Sequence, residues 1–184
     1  MSVIAALSQG GQIAVGSNTG YTLAQDSVID NGTSQWIFFQ DWALGFTGSK
    51  LALNVCRSGL GALKNKVSAE GHVVNEVGKI LSDYDIGTKN DGDPTWSYGI
   101  WCILAHRSGK IWDLDESLCL GSIPEGRFWA RGSGEKYALG AAYALMSAKE
   151  PLTPKQLVKC SIDSAIYNDI YCPGTAYVND LTDT

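Results

Sequence analysis

Positive charge is missing from the start of this 184-residue chain, where no lysine or arginine precedes Lys50. Over the whole sequence 14 basic residues are scattered against 19 acidic ones, for a formal net charge of −5. They make no basic stripe, and the negative balance argues against nucleic acid or an anionic membrane as a partner. Cysteine is scarce and unpatterned. Cys56, Cys102, Cys119, Cys160 and Cys172 are an odd number, with no C-x-x-C spacing and no Cys/His cluster. That argues against a structural zinc site, and no metal or cofactor is expected. Cys56 and Cys160 fall in helical patterns and Cys102 in an apolar strand, which reads as reduced, buried thiols acting as small hydrophobes. No apolar run approaches the roughly 18 residues of a membrane span. The first residues also lack the basic region and the Ala-x-Ala site of a secretory signal, so a cytoplasmic, reducing location is expected.

What is present suits one domain over residues 1–184, long enough to bury a full core. Two short apolar runs, Val3 to Leu7 and Gln12 to Gly16, are joined by Gly10-Gly11 and predict a hairpin inside a sheet. A second pair, Gln35 to Phe39 and Trp42 to Thr47, is separated only by Gln40-Asp41, a connection short enough to fix the register. From Ser49 to Lys66 the period changes. Leu53, Cys56, Leu60 and Leu63 form one apolar stripe of a helix, with Gly59 and Gly61 allowing close approach. A second helix is predicted from about Val73 to Tyr84, with Val73, Val77, Ile80 and Tyr84 on one face, and His72 at its start reads as solvated.

Residues 85–97 read as an exposed loop. The next run, Tyr98 to His106, is almost wholly apolar and predicts a strand buried on both faces. Strands over 110–113 and 117–123 follow. Asp113, Asp115 and Glu116 invite a metal or acid–base reading but are expected to be solvated turn residues. Phe128 to Arg131 predicts a short strand, and the helix from Glu135, ended by Lys149-Glu150-Pro151, carries so many alanines that it must pack close to a neighbour. Thr153-Pro154-Lys155-Gln156 holds three helix-start signals, a Thr cap, Pro at the first position and Gln three after the cap. Val158, Ile162, Ala165 and Ile166 form that helix's buried face. A last strand over 175–178 precedes an acidic tail. Strands, two helices, strands, two helices and a strand suggest two sheets stacked between two helical layers.

Three segments carry a resemblance: Ile13-Ala14-Val15-Gly16-Ser17, Leu44-Gly45-Phe46-Thr47-Gly48 and Gly132-Ser133-Gly134-Glu135-Lys136-Tyr137-Ala138-Leu139-Gly140-Ala141-Ala142. In them the chain resembles the proteasome β-subunit family, and most closely the bacterial proteasome-like protease that works beside an ATP-driven unfoldase. The resemblance implies an α+β fold, a four-layer αββα sandwich of two mostly antiparallel sheets known as the N-terminal-nucleophile hydrolase fold. It also implies ring assembly, with an unfoldase-type protein as a further partner.

In that family an amino-terminal threonine attacks through its hydroxyl while its own α-amine takes the proton, and an aspartate and a lysine tune the transfer. Aligned without a gap, the three positions fall on Met1, Ser17 and Thr33. A thioether is no nucleophile, and neither hydroxyl supplies the missing charge. Two auxiliary positions are partly kept. Ser133 matches the serine that contacts the nucleophile's amine, and Asp169 matches the orienting aspartate, while Cys172 stands where eukaryotic and archaeal subunits have serine. Taken alone, Gly132-Ser133-Gly134 reads rather as a tight turn opening a helix, and Asp169 as a helix-terminus or turn residue.

Three functions follow. The first is a self-assembling structural subunit without peptidase activity. The second is a hydrolase using Ser2 after removal of Met1, which requires a one-residue slip of the first strand and a bulge near Ser8 to Gly11 to recover from it. The third is a pocket for a small ligand or peptide, with Trp36, Trp42, Trp96 and Trp101 as apolar surface.

Overall fold

The paired short runs at the amino end become a hairpin because apolar residues on both faces of each strand can be covered only inside a layered structure. In the computed structural model, which describes residues 2–23, 27–30, 32–63, 65–89 and 96–181, β1 (Val3–Gln9) and β2 (Gln12–Asn18) pair antiparallel from Ile4↔Ser17 to Gln9↔Gln12 in one unbroken register. No bulge interrupts that ladder. Two short strands absent from the sequence reading follow, β3 (Gly20–Leu23) and β4 (Ser27–Asp30). Then come β5 (Trp36–Phe39) and β6 (Trp42–Gly48), the expected tight hairpin, with Gln40 in the left-handed region at its turn.

Helices α1 (Lys50–Gly61) and α2 (Glu70–Asp83) match the two predicted stripes with adjustments. In α1, Ser49 caps the start by accepting from the Ala52 N–H. In α2 the buried face is Val73, Val77 and Leu81, whereas Tyr84 is exposed. Within the expected loop of residues 85–97, β7 (Thr88–Lys89) and β8 (Trp96–Ser97) pair, and residues 90–95 lie outside the described residues.

The chain continues with β9 (Ile100–His106), β10 (Ile111–Leu114), β11 (Leu120–Ile123) and β12 (Trp129–Gly132). It closes with α3 (Glu135–Met146), α4 (Pro154–Asn168) and β13 (Ala176–Asp180). Helix α3 stops before the Lys149-Glu150-Pro151 stretch expected to end it. Helix α4 starts at the predicted signals, with Thr153 and Gln156 forming a reciprocal capping box.

One sheet has the order β12-β1-β2-β13 and the other β11-β10-β9-β6-β5. Strand alternation sorts the core into three layers. Val3, Ala5, Leu7 and Ala14 face α3 and α4, meeting Ala138, Ala142, Val158 and Ile162. Ile4, Ala6, Ile13 and Val15 face the second sheet, meeting Ala43, Ile103 and Ala105. The far side of that sheet packs on α1 and α2 through Leu44, Phe46, Leu53 and Val77. The order helix layer, sheet, sheet, helix layer is the expected αββα sandwich.

Three expectations need correction. Asp113 is no solvated turn residue, because it lies inside β10 and is held by Arg131 and Trp129. Cys160 sits on the outer side of α4 and is exposed, as is Cys119, so only Cys56, Cys102 and Cys172 are buried thiols. Trp101 breaks the fully buried reading of β9, since it stands at the strand's open end with 39% of its surface exposed.

Candidate functional site

Ser2 leads into β1 with its side chain turned toward the space between the sheets, and it is buried. Its Oγ donates to Thr47 Oγ1 at 3.2 Å, where β6 runs out toward α1. The backbone around it is anchored from two directions. The Ser133 N–H donates to Ser2 O at 3.0 Å, and the Val3 N–H donates to Asn18 Oδ1 at 2.9 Å. Asn18 in turn donates to the carbonyls of Gly20 and Pro173. Gly132 makes the first anchor possible, for a Cβ there would lie 2.0 Å from Ser2 O, and its φ of +112° suits glycine.

Ser133, Asp169 and Cys172 gather behind this point. Ser133 Oγ is 3.4 Å from Cys172 Sγ, and the thiol donates to Asp169 Oδ2 at 3.4 Å. Asp169 Oδ1 accepts from the Tyr171 N–H at 2.9 Å. Burial pushes the Cys172 thiol up to about 12, against the opposing pull of the Ser133 hydroxyl. A thiol held this firmly protonated is a hydrogen-bonding link, not a nucleophile. Gly134 makes room for it, since a Cβ there would sit 2.8 Å from both Cys172 Sγ and Ala165 Cβ. Three of the expected positions, Ser2, Ser133 and Asp169, are therefore joined through short contacts, Cys172 completing the chain.

Ser17 and Thr33 are placed differently. Ser17 is fully buried opposite Ile4, and its hydroxyl accepts from the Gln35 N–H at 3.1 Å and lies 3.4 Å from Ser34 Oγ. Among the described residues, that hydroxyl is engaged by the start of β5 and not by Ser2. Thr33 is exposed on the segment leading into β5. Met1 lies outside the described residues.

Positive charge, absent from the first part of the sequence, reaches this region from α1. Arg57 Nη2 donates to Ser34 O at 2.8 Å, and Lys50 Nζ lies 4.7 Å from the centre of the Tyr21 ring. The Lys50 amine is buried without a hydrogen-bond partner among the described residues. Burial first, and Arg57 second, hold its pKa below the ordinary lysine value. The sequence reading missed both residues. Their spacing of two helical turns, which puts them on one side of α1, was the available signal.

Beside Ser2 opens a cleft of about 420 Å³, bounded by Thr47, Gly48, Trp101, Arg131, Ser133 and Glu135. Thr47 and Ser133 are the two residues that hold Ser2, so the cleft and the serine share walls. A larger apolar groove of about 710 Å³ runs along α3 past Phe128, Leu139, Tyr143 and Met146, and none of Ser2, Ser17, Thr33, Ser133 and Asp169 lines it. Asp115, the first acid of the loop before β11, accepts from the Ser117 and Cys119 N–H groups and closes a turn. Among the described residues no three His, Cys, Asp or Glu side chains converge as a metal site would require.

No protein-family model matches the sequence. No curated protein matches it either. Solved structures do. BPH of Thiobacillus denitrificans superposes with a TM-score of 0.80 over 97% of this chain and 96% of its own, at 17% identity. The same protein in complex with epoxomicin gives a TM-score of 0.80 over 97% of each chain, at 18% identity. Eukaryotic HslV from Trypanosoma brucei gives 0.68 over 97% of this chain and 98% of that one, at 16% identity. At such identities the likeness is one of fold.

Proposed function

Since the chain has the proteasome-like N-terminal-nucleophile hydrolase fold that BPH, a bacterial proteasome homologue, and HslV also have, we propose that it is a proteasome-like subunit that has lost peptidase chemistry. It serves instead as a self-assembling structural element of a ring or larger protein assembly. The observation carrying this reading is Ser17. It occupies the aspartate position of the resembled family, is neutral, and has its hydroxyl committed to the Gln35 N–H. Without a carboxylate there, nothing at that position stabilises a positive charge arising on the attacking group.

Exposed apolar residues on the outer face of α3 and α4 and at the turn beyond support self-association. Tyr143 is 79%, Tyr167 89% and Ile170 79% exposed. An unfoldase-type partner and a cytoplasmic location belong to the same reading, as does the absence of nucleic acid, which the net charge of −5 favours.

Light scattering coupled to gel filtration, run beside a peptide-hydrolysis assay, tests the proposal. A monodisperse ring without hydrolysis is expected, and a stable monomer would overturn the assembly role.

A second reading, hydrolysis by Ser2 once Met1 is removed, is favoured by the chain of contacts from Ser2 through Ser133 and Cys172 to Asp169. A free α-amine of ordinary pKa, roughly 7.7 to 8, remains a usable base at neutral pH. Against it stand the unbroken β1–β2 ladder, without the bulge that a register slip needs, and the burial of Ser2. Epoxomicin, which is bound in one of the BPH structures, provides the test. No adduct is expected here, and an adduct abolished by Ser2→Ala would replace the first reading with the second.

A further inference from the structure

The cleft beside Ser2 has one wall whose charge is already neutralised and one whose charge is not. Arg131, from β12, donates through Nε to Asp113 Oδ1 at 2.7 Å and through Nη2 to Asp113 Oδ2. Asp113 also takes the Trp129 indole N–H, and the guanidinium lies 5.4 Å from the centre of the Trp129 ring. Arg131, Asp113 and Trp129 thus form a closed unit, with the fork geometry that holds arginine most firmly.

Glu135 is left over. Its nearest cation is Arg131 Nη1 at 3.8 Å, too far for a hydrogen bond, and burial raises its carboxyl above the ordinary range despite that charge. Lys136, next in the chain, turns its ammonium over the Tyr137 ring instead. Counting Asp113, Arg131 and Glu135, the cluster carries one negative charge more than it balances. A carboxylate in the first turn of a helix is ordinary. The same cleft, however, is also lined by Trp101, the tryptophan that β9 leaves 39% exposed, paired with Thr47 in the strand register.

We propose that this cleft binds a cationic side chain of a peptide, of the guanidinium type, which pairs with Glu135 and lies against the Trp101 indole. The two walls supply complementary parts of such recognition. A carboxylate accepts the charged N–H groups, and an indole face attracts a planar cation. At about 420 Å³ the cleft falls within the roughly 300–1,000 Å³ of small-ligand sites. The proposal concerns binding alone and holds whether or not Ser2 performs chemistry, so it fails or survives separately from the assembly and labelling tests above.

Calorimetric titration of the full-length protein with N-acetyl-arginine amide and with its uncharged isostere N-acetyl-citrulline amide tests it. The arginine compound is expected to bind about tenfold more tightly, the worth of one charge-assisted hydrogen bond in a partly desolvated site. Glu135→Gln is expected to reduce that ratio to about one, and Trp101→Ala to weaken both compounds. Equal binding of the two compounds by the unaltered protein, or no binding of either, overturns the proposal without reliance on any variant. So does a preference that survives Glu135→Gln in a protein whose circular dichroism is unchanged.

Discussion

The Ser2 hydroxyl donates to the Thr47 hydroxyl at 3.2 Å, joining the first strand of one sheet to the end of a strand in the other. Both side chains are buried, so each depends on the other for a partner. Thr47→Val would leave the Ser2 hydroxyl buried without its acceptor, at a cost of about 1–3 kcal/mol. The double variant Ser2→Ala, Thr47→Val should lose less than the sum of the single losses, because it leaves neither hydroxyl stranded. Urea unfolding of the four proteins measures this, and strict additivity would show that the two groups do not interact.

Gly132 and Gly10 both have positive φ, yet only Gly132 touches anything. A Cβ on Gly132 would collide with Ser2 O at 2.0 Å, whereas one on Gly10 would meet nothing within 4 Å. Gly10→Ala should therefore cost on the order of 1 kcal/mol of backbone strain. Gly132→Ala should cost several times more, roughly 3 kcal/mol or above, because the β1–β12 contact itself must open. Comparable unfolding midpoints for the two variants would contradict the close approach at Ser2.

Lys50 bears on stability through pH. Its folded pKa is lowered from the ordinary 10.5, so between the folded value and 10.5 the unfolded chain binds more protons than the folded one. Stability from this group therefore rises as pH rises through that window and is reduced below it. Lys50→Met removes the buried charge but also the contact with the Tyr21 ring, so at neutral pH it should be neutral or stabilising, by about 1 kcal/mol or less. The gap between variant and parent should narrow as pH climbs toward 10.5. A gap that widens would mean that the amine is stabilised by its surroundings.

The cysteines divide by exposure. At pH 8 iodoacetamide should modify Cys119 and Cys160 in the folded protein, while Cys172, pushed up to about 12 and fully buried, reacts only after unfolding. Peptide mass spectrometry after a timed reaction reads this directly. Rapid labelling of Cys172 would mean that the contacts joining Ser133 to Asp169 open readily.

Much of the architecture was legible along the chain. The two hairpins, the stripe of Leu53, Cys56 and Leu60, and the Thr153–Gln156 box are local patterns, and each element formed where its pattern lay. The β3–β4 pair escaped notice because Gly20 to Leu23 has too few apolar residues to mark a strand. Trp101 was misjudged for a different reason. An apolar run looks the same whether its end is covered by a neighbouring strand or open to a cleft.

The sequence by itself determined the order of strands and helices and the faces they bury, because periodicity and residue type are properties of neighbours along the chain. The tertiary structure alone decided what surrounds Ser2. Thr47, Ser133 and Cys172 lie from dozens to well over a hundred positions along the chain from Ser2, and only sheet register and the stacking of two sheets bring them within reach. Those distances depend on how layers pack, and no local pattern records them.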